Sequence, residues 1–294
     1  MKFSLICPVY NEELFLNDML ASLVAQTHQD WEALLIDDGS TDNSASIIEN
    51  WAAKDDRIKP VSLRVKLGKV HAFNLAFSKS TGDLICHVGG DDFLTPSSLT
   101  DRESAFREAD PFAVVFAKLQ VIDENGAAIS SPIPRGQYGS QSSPGATYSR
   151  ALANLIFPIP TDLPSEDIWL GNAAAGCAQS VIHLQTPVIF YRIHSNNSNP
   201  RHKSFDEMTK AIHSRYQALD LLLESDLPLS EASRKKLQAF AAAEQLRYAR
   251  QTLKILWYKD LPLIDRVAIS SMSNPALWRI RQKLGVAATG WRGK

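Results

Sequence analysis

Leu84-Ile85-Cys86-His87-Val88-Gly89-Gly90-Asp91-Asp92 is a short apolar run, rich in β formers, that stops at two glycines and two adjacent carboxylates. Such a run reads as a buried strand ending where backbone must pass close to a charged ligand. Two neighbouring carboxylates do not both stay ionised in a dry core; they need water, a cation or a basic partner. A turn followed by a helix N-cap fits the same letters. Oxygen ligands beyond the carboxyl end of a central strand, however, suit Mg²⁺ or Mn²⁺ shared with a phosphate group.

Toward the N-terminus the same grammar recurs. Residues 3–7 read as a strand running into the loop Pro8-Val9-Tyr10-Asn11. Residues 12–25 follow as an amphipathic helix, with Leu16, Met19, Leu20, Leu23 and Val24 on one face. A second strand, 31–36, ends in Asp37-Asp38-Gly39-Ser40-Thr41-Asp42-Asn43-Ser44, which is turn chemistry and a helix N-cap leading into a helix over 45–53. Residues 58–63 make a shorter strand, and Gly68-Lys69 opens a helix through Ser80. This β-α alternation predicts an α/β fold with a mostly parallel central sheet flanked by helices. Ligands of such sheets bind beyond the carboxyl ends of the strands, where residues 8–12, 37–42 and 89–92 all fall. Neither a GxGxxG turn nor a GxxxxGK[ST] loop is present, so dinucleotide and P-loop binding find no support.

Toward the C-terminus, Thr95-Pro96 begins a helix to about Ala109, residues 112–121 form a strand, and 123–126 a turn. Residues 130–147, loaded with Ser, Pro and Gly, read as a mobile loop over the site. Residues 163–170 read as a helix start with acidic residues in its first turn. Residues 181–183 and 187–192 look like a closing pair of strands, and the polar run 194–200 ends the first domain. A domain at 1–200 and a helical region at 201–294, broken at Pro228, Pro262 and Pro275, are expected.

The chain has 294 residues, 45% hydrophobic and 21% charged, enough for a sizeable core. Cys7, Cys86 and Cys177 show no CxxC spacing and read as reduced thiols of a cytoplasmic protein. No leader and no apolar run of the roughly 20 residues a membrane span needs is read here. Net charge is −1, but it is uneven: from Arg247 onward ten basic residues face two acidic ones. The apolar residues interleaved there (Leu253, Ile255, Trp257, Val267, Ile269, Trp278, Ile280) suit either an anionic membrane surface or a helical cap with a solvated basic face. No nucleic-acid motif accompanies the basic residues.

Taken together, Pro8-Val9-Tyr10-Asn11-Glu12, Ile36-Asp37-Asp38-Gly39-Ser40-Thr41-Asp42, Gly68-Lys69 with Asn74, Gly89-Gly90-Asp91-Asp92, Ser165-Glu166-Asp167 and Tyr191-Arg192-Ile193-His194 resemble, in order and spacing, the family 2 inverting glycosyltransferases. The resemblance covers roughly residues 2–200 and implies a GT-A-type nucleotide-binding fold with a C-terminal helical extension. It implies transfer of a sugar from a nucleotide-sugar, expected to be a UDP-sugar, to a glycan or lipid-linked acceptor, as in cell-surface polysaccharide synthesis. It implies Asp91 as the main ligand of Mn²⁺ or Mg²⁺, with His194 completing the metal site and Arg192 nearby. Pro8, Val9, Tyr10, Glu12, Asp38, Lys69, Gly90 and Asp92 would line the nucleotide, with Tyr10 stacking on the base and Asp38 accepting from it. Asp167 would be the general base and Glu166 its catalytic neighbour, although acidic residues at a helix N-terminus give the same letters.

One departure stands out. The family pattern is Asp-x-Asp, and its first Asp is Gly89 here. That leaves room for a rival reading, a catalytically impaired nucleotide-sugar-binding or scaffold protein on the same fold. A phosphatase reading of Ile-Asp-Asp-Gly-Ser-Thr fails because the residue two after Asp37 is Gly39, not Asp.

Overall fold

The computed structural model describes residues 1–63, 65–194 and 204–289, with side chains as far as Lys283. The chain divides into two compact units, Met1–Ile193 and His194–Lys294.

The first unit is built on an eight-stranded sheet. In chain order its strands are β1 (Phe3–Val9), β2 (Trp31–Asp37), β3 (Ile58–Ser62), β4 (Leu84–His87), β5 (Phe93–Leu94), β6 (Ala113–Ile122), β7 (Ala146–Ser149) and β8 (Ser180–Arg192). Their spatial order is β3-β2-β1-β4-β7-β6-β8-β5. β1 pairs in parallel with β2 and β4, and β2 with β3. β7 runs antiparallel between β4 and β6, which restores β6 and its parallel neighbour β8 to the direction of β1. Six strands therefore point their carboxyl ends at one edge.

β1, β2 and β4 read as continuous apolar runs because both sheet faces are covered, as parallel strands require. Helices α1 (Leu16–Val24), α2 (Ser44–Ala52), α3 (Lys69–Lys79), α4 (Ser98–Phe106), α5 (Arg150–Ile156) and α6 (Asp167–Cys177) accompany the sheet. The face formed by Phe3, Leu5 and Cys7 of β1 packs with Leu16, Met19, Leu20 and Leu23 of α1 and with Leu99 and Phe106 of α4 in one core. Fully burying a side chain of this size contributes about 1.5–3 kcal/mol.

Three expectations are corrected. The stretch 130–147 is tied down: Leu119 and Ile133 exchange backbone hydrogen bonds at 2.9 Å, and Gln120 Nε2 donates to Ser130 O at 2.7 Å. Its end forms a short 3₁₀ turn, Ser143–Gly145, and then β7, inserted into the middle of the sheet. The agent is Arg102, fully buried, whose guanidinium donates to Pro144 O at 2.8 Å, to Ala146 O at 3.1 Å and to the Thr147 hydroxyl. Second, the closing pair of strands is one strand, β8, whose register slips against Ala117–Leu119 around the Gln185–Pro187 interruption. Third, the helix expected over 12–25 starts at Leu16: residues 12–15 form a turn, with Phe15 and Leu16 N–H both donating to Glu12 O, and the Glu12 and Glu13 N–H groups are held by Ser44 and Asp42.

The regular structure of the second unit, among its described residues, is helical: α7 (Phe205–Glu224), α8 (Glu231–Tyr248), α9 (Thr252–Leu256), α10 (Leu263–Ser270) and α11 (Pro275–Thr289). Ser204 and Glu207 close a capping box on α7, and Ser230 caps α8. Its core is small, Ala239, Ala243 and Leu261 with Phe240, Tyr258 and Ile269 against them. A buried polar knot supplements it: Arg247 grips Glu244 at 2.6 Å through two nitrogens and donates to Thr209 O, and His213 meets the same carboxylate. The polar run expected at 194–200 lies, beyond His194, outside the described residues.

Candidate active site

The carboxyl ends of β1, β2, β4 and β8 bring together segments that lie far apart in sequence. The loops after β1 and β2 are knitted side by side: Asn11 N–H donates to Ser40 Oγ at 3.0 Å, and Asn11 Oδ1 accepts from Thr41 N–H at 2.8 Å. Asn11 takes φ +56°, a conformation that asparagine tolerates better than most residues. Asp37 stays with its turn, accepting from Ser40 N–H at 3.1 Å, and Asp42 accepts from Ser44 N–H at 2.9 Å.

Asp38 is buried, and its two oxygens accept the N–H groups of Leu67 and Gly68 at 2.7 and 2.9 Å. It sits at the N-terminus of α3, where orphan backbone donors and the helix dipole favour a carboxylate. Each oxygen thus takes one N–H of the loop before α3. Tyr10 is 38% exposed, and the Lys66 ammonium sits 3.2 Å from its ring centroid. Lys66 is a neighbour of Tyr10 that no sequence motif singles out. Val9 is fully buried, so it can offer a ligand only backbone, and Pro8 is half-buried.

Beyond β4, Gly89 and Gly90 let side chains approach the backbone closely. A Cβ on Gly90 would fall 2.9 Å from Glu12 Cγ, so the bare backbone lets the Glu12 side chain lie against it. A Cβ on Gly89 would meet Asp91 Oδ1 at 2.6 Å; the Asp91 carboxylate leans back over this glycine. The missing first Asp of the family pattern thus leaves space that Asp91 uses. Glu12, Asp91 and His194 each present one ligand atom, all within 4.8 Å of one another. Two carboxylate oxygens and an imidazole nitrogen form a donor set that fits Mn²⁺, while Mg²⁺ would draw on the two carboxylate oxygens. His194 is bonded to Ile193, whose N–H is held by Ile122 O at the end of β6.

Asp92 turns the other way. It is buried and accepts the Arg192 N–H at 2.9 Å, which fastens β8 behind the site. Burial first, then the Asp91 charge, push its carboxyl well above the usual range. The Arg192 guanidinium donates to Asp91 O and Glu124 O and reaches the Asp18 carboxylate at 2.9 Å. Asp92 and Arg192 therefore brace the rim.

Glu166 and Asp167 sit at the start of α6. Glu166 is buried; its Oε1 accepts from Ser143 Oγ at 2.8 Å and lies 3.1 Å from Lys69 Nζ. Its Oε2 has no hydrogen-bond partner among the described residues. Lys69, on the first turn of α3, keeps about half of its side chain exposed; partial burial works against its charge, but Glu166, then Asp167 and Asp91, outweigh that and hold its ammonium above the usual value. One cation thus faces carboxylates from α6 and from the end of β4. Asp167 Oδ1 accepts from Ser165 Oγ at 2.9 Å and from Ile168 N–H at 3.0 Å. Ser143 joins this group from a stretch read as loop; its only sequence mark is the turn-like Ser142-Ser143-Pro144-Gly145, which gives no hint of its reach.

Behind Lys69, His87 closes β4 among Phe73, Tyr148 and Phe157, with neither ring nitrogen hydrogen-bonded among the described residues. Burial, then Lys69 and Arg102, push it down to about 3, so it is neutral.

With this geometry in hand, the chain can be set beside known proteins. The model of glycosyl transferase family 2 matches residues 4–152. An uncharacterized glycosyltransferase of Nostoc sp. is 30% identical over 219 residues, 68% of this chain and 67% of the relative. Among solved structures, S. aureus TarS 1-349 in complex with UDP-GlcNAc superposes with TM-score 0.64 at 22% identity, covering 94% of this chain and 82% of that one. The Pyrobaculum calidifontis mannosyltransferase PcManGT, in complex with GDP-Man and Mn²⁺, gives TM-score 0.60 at 14% identity, covering 99% and 81%. The chain belongs to glycosyl transferase family 2, carries the GT-A fold, and is a glycosyltransferase.

Proposed function

We propose that this protein is a metal-dependent inverting glycosyltransferase that moves a sugar from a UDP-sugar to a glycan or lipid-linked acceptor by single displacement. The observation that carries the reading is the cluster at the strand ends: Glu12, Asp91 and His194 within 4.8 Å, with Lys69 Nζ 3.1 Å from Glu166 and under the electrostatic influence of Asp167 and Asp91. Bound to the first three, Mn²⁺ or Mg²⁺ would serve as Lewis acid and template for the donor diphosphate.

The chain's own residues do the rest. The acceptor hydroxyl gives its proton to Asp167 while its oxygen attacks the anomeric carbon from the face opposite the leaving group. The bond from that carbon to the diphosphate oxygen breaks, and the electron pair leaves with the nucleoside diphosphate. Lys69 stands where it can meet the charge that develops there. Glu166 fixes Lys69 and, through Ser143, the segment that seats α6. Tyr10 offers a stacking face to the base, and Asp38 an acceptor once the loop at 65–68 yields. Support for the donor class comes from TarS, solved with UDP-GlcNAc, and for the metal from PcManGT, solved with Mn²⁺.

The test is Asp167→Asn. With Mn²⁺ present, a UDP-sugar raises the melting temperature of wild type and variant alike, while turnover falls about 10²–10⁴-fold in the variant. Full turnover in the variant removes Asp167 from its role. A wild-type protein that no nucleotide-sugar stabilises or donates through returns the scaffold reading.

A further inference from the structure

In the second unit, α9 and α10 make a corner closed by Arg266, whose Nη1 donates to Leu256 O at 3.0 Å. Ile255 and Leu261 are buried there and Ile269 packs inward, so these apolar residues of the tail are spoken for. The outer faces are not. Leu253, Trp257, Leu263, Ile264 and Val267 are all between 53% and 77% exposed. Leu263 and Val267 lie four residues apart on α10 and form a stripe along it, and Trp257, at the end of α9, lies four residues past Leu253. Single exposed apolar residues are ordinary, but five large ones on two adjoining short helices mark an interaction surface.

Charge decides the partner. Lys254 and Lys259 are exposed on the corner itself, and Arg279, Arg281 and Lys283 are exposed on α11; against them stand exposed Asp260 and half-buried Asp265. A second copy of the chain would bring these cations face to face. Lipid phosphates would neutralise them, and a tryptophan beside lysines suits the headgroup layer. We propose that the α9–α10 corner docks on an anionic membrane surface, with Leu253, Trp257 and Ile264 entering the headgroup region and Lys254 and Lys259 over the lipid phosphates. Among the described residues no helix is long and apolar enough to cross a membrane, so the attachment is peripheral. The inference stands on this corner alone and goes beyond the transfer reaction.

The full chain is floated with vesicles of phosphatidylcholine and phosphatidylglycerol in equal parts, and with phosphatidylcholine alone. Wild type rises with the anionic vesicles only. The double variant Trp257→Ser/Ile264→Ser, both at exposed positions, keeps its melting temperature and loses partitioning by about tenfold or more. Lys254→Glu/Lys259→Glu loses a similar amount, and Leu14→Ser, an equally exposed apolar position in the first unit, loses none. Wild type that fails to float, or a double variant that floats as wild type does, overturns the proposal. So does a light-scattering dimer that Trp257→Ser/Ile264→Ser dissolves, which gives the corner to a second copy. Turnover of a UDP-sugar on a soluble acceptor is unchanged in both double variants, so a failed docking leaves the transferase reading intact.

Discussion

Asp38 and Glu166 are both buried carboxylates at one strand-end rim, yet they are held by different means. Asp38 is fixed by backbone: it follows β2 directly, and two consecutive N–H groups before α3 each bond one of its oxygens. Glu166 is fixed by side chains drawn from across the first unit, Lys69 from α3 and Ser143 from the turn that Arg102 anchors. The half of the rim proposed to take the donor, with Tyr10, Glu12, Asp38 and Asp91, is therefore the product of neighbouring turns. The half proposed to take the acceptor, with Glu166 and Asp167, depends on a relay of long-range contacts. A local turn survives a lost side chain elsewhere; a relay does not.

The largest effect breaks the donor half itself. Asp91→Asn, or removal of divalent cations with a chelator, lowers turnover by about 10³-fold or more, equivalent to about 4 kcal/mol of transition-state stabilisation. Added Mn²⁺ restores the chelated wild type and leaves the variant impaired. Turnover within a few fold of wild type in Asp91→Asn would remove the metal from the donor half.

Next comes the anchor of the relay. Arg102→Met leaves Pro144 O and Ala146 O without their donor, each in a buried setting, and costs about 3 kcal/mol of stability. Urea denaturation measures it. The folded fraction of the variant still binds UDP-sugar, because no donor-half residue bonds to Arg102, while its transfer rate falls with the seat of Ser143. Equal loss of donor affinity and transfer rate would dissolve the distinction between the halves.

The same distinction explains what the sequence disclosed. Strands β1, β2 and β4 announce themselves because runs buried on both faces are almost uninterrupted apolar residues, and the polar clusters following them lie contiguous in the chain. Hence Tyr10, Asp38 and Asp91 are legible together, and parallel topology places their strand ends on one edge. β7 is four residues long, Ala146–Ser149, and follows a Ser-Pro-Gly run whose letters signal loop; its place in the sheet comes from pairing with β4 and β6, which no local pattern encodes. Ser143 and Lys66 are hidden for the same reason: a serine among serines and a lysine in a loop acquire their neighbours only in three dimensions. β8 looked like two strands because Pro187 interrupts the run, whereas β6 absorbs the slip at Lys118.

A paired substitution sharpens the comparison at intermediate size. Glu166→Gln removes the charge that holds Lys69 and lowers turnover by about 30-fold, near 2 kcal/mol, with donor affinity changed little. Asp38→Asn keeps one acceptor oxygen for the loop and reverses the pattern, lowering donor affinity by about tenfold and leaving the rate at saturating donor. Isothermal titration with UDP-sugar and steady-state kinetics separate the two. If both variants lose affinity and rate in the same proportion, the rim works as one body.

The smallest effect is read at the seam, where His87 lies beneath Lys69. Its imidazole is held down to about 3 by burial, against an ordinary value near 6.5. A base whose folded-state value is depressed binds its proton more readily in the unfolded chain, so acidification favours unfolding. The penalty is absent above about pH 7.5, reaches about 1.4 kcal/mol at pH 5.5, and grows until about pH 3, where the folded state also takes the proton. His87→Phe, in a pocket already lined by Phe73, Tyr148 and Phe157, has no such proton to take up. Its stability falls less between pH 7.5 and 5.5 than that of wild type, by about 1.4 kcal/mol, in urea melts at the two pH values. Identical pH slopes would mean that water reaches His87 in the folded protein, and that the floor between the two halves of the rim is wet.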